Sequence, residues 1–132
     1  MRHLLFDTAT RRARFEVRVV CNAPKGKIDT AGDDMAEAIS AISGGATIKK
    51  IKGVWAADGS LDLDRYQGPF ELADGIAIEV TVPFDRVEAL YAALPKIVAD
   101  ACQRHGLPAR WIDTNIDISG ALIAGHFKID RS

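Results

Sequence analysis

Two glutamates stand at matching places in two alternating segments, Glu16 in Phe15-Glu-Val-Arg-Val and Glu79 in Ile78-Glu-Val-Thr-Val. Side by side on neighbouring strands, two carboxylates raise the pKa of one of them toward the range a general acid needs. Arg14 and Arg18 flank Glu16 at strand spacing, and opposite charge that close favours ion pairing over acid–base work. A third segment sets Trp111, Asp113, Asn115 and Asp117 on one side of a strand. Tryptophan on a sheet can stack a nucleobase. Here no basic, glycine-interrupted aromatic strand accompanies it, and Glu16, Glu79, Asp113 and Asp117 would repel a phosphate backbone, so packing is the expected role.

Other constellations are weaker. Arg11-Arg12-Ala-Arg14 and Lys49-Lys50-Ile-Lys52 offer positive charge to a phosphate or an acidic surface, but such runs on turns and edge strands chiefly keep edges from pairing. His3, His105 and His126 are scattered. Cys102 and His105 lie three apart on a helix without a further ligand nearby, and His105 reads more simply as a helix C-terminal residue. Asp62-Leu-Asp64 lacks the glycine and the later glutamate of a calcium loop. Gly44-Gly45 does not follow a strand, so it is not a phosphate-cradling loop. No nucleophile motif surrounds any serine. No catalytic residue, metal ligand or cofactor is therefore assigned.

These residues need elements to position them. Residues 13–21 alternate, with Phe15, Val17, Val19 and Cys21 on one side, which predicts a half-buried strand. Thr30 with Asp33 makes an approximate capping box, predicting a helix over 31–43 that Gly44-Gly45 stops. Residues 47–55 are β-rich, with Gly53 expected as a bulge, and 56–75 read as a long polar connection. Residues 76–82 alternate again. Asp85 is the expected cap of a second helix whose stripe runs from Val87 to Cys102, with Pro95 set to kink or divide it. Residues 109–118 form a further strand, and short terminal strands are expected over 3–7 and 123–129.

The order β-α-β, β-α-β with echoing halves predicts an α+β, ferredoxin-like split βαβ-βαβ fold. Its antiparallel sheet carries two helices on one face and extra terminal strands, and its first and third core strands are central. The whole chain, 1–132, reads as one domain with a core over about 13–118. On the uncovered face lie Arg14, Glu16, Arg18, Glu79, Thr81, Trp111, Asp113 and Asn115, with Asp117 beside them. This is the candidate binding surface.

Composition narrows the partners. At 48% hydrophobic and 27% charged, the chain is neither disordered nor built of membrane spans. Net charge is −1, which argues against a general nucleic-acid binder. Residues 1–52 carry ten Lys/Arg against six Asp/Glu, and residues 53–132 seven against twelve, an asymmetry that can serve complementary surfaces in an oligomer. Cys21 and Cys102 match no metal spacing and read as buried thiols, fitting a reducing cytoplasm. The opening residues have too short an apolar run for a signal peptide.

Gly44-Gly45-Ala-Thr47, Gly53-Val-Trp55 and Asp58-Gly59, followed by an alternating strand and a long helix, form a pattern. It resembles that of small uncharacterised bacterial and phage proteins on a ferredoxin-like scaffold. The resemblance spans about residues 14–118, implies the fold and carries no activity with it. The expectation is a non-enzymatic module that binds a protein partner or itself, most simply as a homodimer, in a phage- or plasmid-type accessory role. The alternatives are a small-molecule-binding regulatory domain and a small dimeric ferredoxin-like enzyme.

Overall fold

Alternation over 13–21 becomes strand β1, Arg12–Cys21, whose inward residues Ala13, Phe15, Val17, Val19 and Cys21 are all buried. The computed structural model describes residues 12–56, 65, 69–118 and 121–129, and the expected strand 3–7 lies outside them. After β1 come α1 (Lys25–Ser43), β2 (Thr47–Ala56), β3 (Phe70–Pro83), a 3₁₀ turn (Phe84–Arg86), α2 (Val87–His105), β4 (Trp111–Ile118) and β5 (Ala121–Lys128). The sheet is antiparallel throughout, in the order β2-β3-β1-β4-β5, so β1 and β3 are central. This is the expected ferredoxin-like α+β arrangement with one added strand.

Helix α1 begins six residues earlier than the capping box predicts. Pro24 is its N-cap, and the Thr30 hydroxyl donates back to the Gly26 carbonyl instead of capping. The extra turn holds because Ile28 is buried ahead of Ala31, Met35 and Ile39 on the same face. Gly44 ends the helix at φ 90°, a left-handed conformation that costs glycine no steric penalty. Helix α2 is not divided at Pro95, since Leu90, Leu94, Val98 and Ala101 on either side of it are fully buried. Asp85 does not cap α2; it lies in the 3₁₀ turn, and Arg86 is the N-cap without a side-chain bond.

Two strand expectations change. β3 reaches back to Phe70, because residues 70–75 pair with 51–56 of β2 although Leu72 and Phe70 stay exposed. Gly53 is no bulge: it faces Ala73 in an unbroken register. The last strand runs 121–128 rather than 123–129, and it widens the sheet beyond β4 instead of crossing its open face.

The core lies between helices and sheet, where Phe15, Met35, Ile39, Ile76, Ile78, Leu90, Leu94 and Ile112 are sealed from solvent. Each such side chain contributes about 1.5–3 kcal/mol by leaving water. Thr114 differs in chemistry, a polar residue 1% exposed whose Oγ1 has no hydrogen-bond partner among the described residues. Its strand neighbour Gly125 leaves it room, because a Cβ there would stand 2.5 Å from Thr114 Oγ1 and 3.1 Å from the Tyr91 hydroxyl. Across the helix layer, His105 Nε2 and Arg104 Nη1 meet Asp34 Oδ2 at 2.5 and 2.8 Å. The bond to His105, then that to Arg104, holds the Asp34 carboxyl below its ordinary value of 3.8.

Candidate functional site

Period-two geometry sends the other half of each strand to the face without helices. On β1 these are Arg12, Arg14, Glu16 and Arg18; on β3, Ala77, Glu79 and Thr81; on β4, Trp111, Asp113, Asn115 and Asp117. Cross-strand register brings the candidate residues together. Glu16 lies between Glu79 and Asn115, Arg14 between Thr81 and Asp117, and Arg18 between Ala77 and Asp113. Edge strands add Thr47 and Lys49 opposite Glu79 and Ala77, and His126 and Lys128 opposite Asp113 and Trp111.

The two glutamates are neighbours, as their matching positions predict. Both are held in ion pairs. Lys49 Nζ donates to Glu79 Oε2 at 2.7 Å and Arg14 Nη2 to Oε1 at 3.0 Å. Those hydrogen bonds, Lys49's foremost, hold the Glu79 carboxyl below its ordinary value of 4.5. Glu16 in turn accepts from Arg18 Nε at 2.5 Å. Such exposed pairs orient long side chains more than they stabilise the fold.

Trp111 does not pack inward. Almost half exposed, it stacks on His126 of β5, with ring centroids 4.6 Å apart and planes 15° from parallel. The same imidazole pairs through Nδ1 with Asp113 Oδ1. His126 carries no local signal in sequence; only the β4–β5 register reveals it. Lys49 was obscured likewise by the imperfect alternation of β2. The Cys102–His105 pair does not make a ligand set, since Cys102 is buried while His105 turns to Asp34. Among the described residues no group of three or more metal-ligating side chains is gathered. Neither cysteine forms a disulfide, and both are buried.

Beyond the Lys49–Glu79–Arg14 cluster, a cavity of about 480 Å³ opens where the α1–β2 turn meets the sheet. Its walls are residues 43–47, residues 79–81 and Arg12.

Neither a family model nor a curated protein matches the chain. Among solved structures it is similar to a phage SAM lyase in the apo state, with 12% identity and a TM-score of 0.56 over 100% of this chain and 98% of that one. The phage SAM lyase in complex with S-methyl-5'-thioadenosine gives 14% identity and a TM-score of 0.55, with 89% of each chain covered. CutA from Synechococcus elongatus matches with 14% identity and a TM-score of 0.42 over 72% of this chain and 74% of that one. At these identities the likeness to the lyase is one of fold, and it agrees with the ferredoxin-like topology. Among the described residues no helix is long and apolar enough to cross a membrane.

Proposed function

We propose that the chain works by self-association through the uncovered sheet face, as a non-enzymatic module in the cytoplasm. The observation that carries this reading is the face's mixed charge beside apolar surface. On β1, Arg12, Arg14 and Arg18 surround a single Glu16 beside Asp113 and Asp117 of β4, with exposed Trp111 and Leu122 alongside. A face carrying both signs is complementary to a second copy of itself turned about a two-fold axis. Trp and Arg are also the residue types that anchor interfaces.

A mixing experiment tests it. Arg18→Glu sets like charge against Asp113 of the second copy, and Asp113→Lys sets like charge against Arg18. Each variant alone is expected to be monomeric, whereas the equimolar mixture restores both contacts and forms the mixed assembly. A mixture as monomeric as its components overturns the reading.

A second reading is a small enzyme, favoured by the two-way, nearly full-length likeness to the phage SAM lyase. It predicts that purified protein releases S-methyl-5'-thioadenosine from S-adenosylmethionine, measured by chromatography. Substrate left intact by high protein concentration refutes it.

A further inference from the structure

The cavity at the α1–β2 turn adjoins the open sheet face, with which it shares Arg12 and Glu79, and has its own chemistry. It brings a guanidinium, Arg12 from β1, and a carboxylate, Glu79 from β3, to one concave space of about 480 Å³, within the size range of small-molecule sites. We infer that this cavity binds a small zwitterion, the α-amino-carboxylate end of an amino acid or of an amino-acid-bearing metabolite.

Three observations support the assignment. Arg12 makes no ion pair among the described residues, whereas Arg14, Arg18 and Lys49 are each engaged by a carboxylate. It therefore has a whole guanidinium edge for a ligand carboxylate, the geometry that bidentate recognition uses. Glu79 accepts one bond at each oxygen, and a carboxylate has about four lone-pair sites, so it retains capacity for a ligand ammonium. Lys49 and Arg14 pin that carboxylate in place before any ligand arrives, which lowers the ordering cost of binding.

Reach is consistent with this. Arg12 and Glu79 are four strand positions apart in the β1–β3 register, about 13 Å along the strands. Both side chains line the cavity, and a short zwitterion bridges the space between them. Thr81 stands between them on β3, and Thr47 lies opposite Glu79 on β2. At Gly44 and Gly45 the turn wall opens on free space, where an added Cβ would meet nothing within 4 Å. Among the described residues no aromatic side chain lines the cavity.

The test is a titration of isotope-labelled protein followed by amide NMR, with L-methionine, its methyl ester and the deaminated acid 4-(methylthio)butanoate as probes. L-Methionine is expected to shift the amides of Gly44, Gly45 and Thr47 with a Kd of about 1 mM, a range in which NMR reads weak binding directly. The ester lacks the carboxylate and the acid lacks the ammonium, so each binds at least about tenfold more weakly, as loss of one charge-assisted bond requires. Arg12→Ala weakens methionine by about tenfold and leaves the ester unchanged. Glu79→Gln weakens methionine and leaves the deaminated acid unchanged. Both substituted positions are solvent-accessible, and the same spectra report whether each variant is folded. Absence of shifts at about 10 mM, ten times that Kd, overturns the inference. So do equal affinities for all three probes. A monomeric protein that binds methionine here would refute self-association alone, and an assembled protein that ignores all three probes would refute this site alone.

Discussion

Replacing Thr114 by valine should stabilise the protein. Thr114 is 1% exposed, its Oγ1 has no hydrogen-bond partner among the described residues, and it faces Gly125 on the helix-covered side of the sheet. An unpartnered buried hydroxyl costs about 1–3 kcal/mol in lost hydration. Valine keeps the branched shape and substitutes a methyl for the hydroxyl, so that cost is relieved. The methyl is somewhat larger than the oxygen it replaces, and crowding returns part of the gain. The net expectation is a stabilisation of about 1 kcal/mol, or a rise of about 4 °C in Tm for a domain of this size. Urea unfolding provides the assay: the midpoint should rise with an unchanged slope, because the surface exposed on unfolding does not change. A midpoint lowered by the equivalent of about 1 kcal/mol would mean that the hydroxyl has a polar partner. The reasoning that treats Thr114 as an unpartnered core group would then be wrong.

Gly125→Ala should destabilise by about 1–3 kcal/mol, since its Cβ would stand 2.5 Å from Thr114 Oγ1. The cost should shrink when Thr114→Ala is added, and strictly additive unfolding energies would contradict the contact. Asp34 and Glu79 ionise in the folded protein below their ordinary values of 3.8 and 4.5. The unfolded chain therefore takes up protons first, so their contribution is fully present above about pH 5 and is lost as pH falls through the folded-state values. Stability measured from pH 7 to pH 3 should fall below about pH 4.5, and Asp34→Asn should flatten part of that fall. An unchanged pH profile in the variant would count against the His105–Asp34–Arg104 cluster.

What was legible in the sequence was whatever burial dictates. Phe15, Val17 and Val19, and Ile76, Ile78 and Val80, alternate because one side of each strand faces helices, and that alternation carried both the fold and the membership of the open face. The stretch 70–75 reads as a polar connection because Gly68-Pro69 and Asp74-Gly75 are turn signals; it is a strand by backbone pairing with β2, which leaves no hydropathic trace while Phe70 and Leu72 stay exposed. The first turn of α1 was hidden similarly, by exposed Lys25, Gly26 and Lys27 with only Ile28 buried. At the candidate site, Glu16 beside Glu79 followed from matching positions in echoing halves. Their chemistry did not, because it depends on Lys49 from an edge strand whose register sequence alone does not set. His126 becomes a partner of Trp111 and Asp113 only across a strand pair.

Self-association through the sheet face is most directly tested by the mass of the unmodified protein in solution, measured by light scattering across a dilution series. The account predicts a species near twice the 14.3 kDa chain mass at high concentration, passing to the single-chain mass on dilution. A mass of 14.3 kDa at every concentration would contradict it.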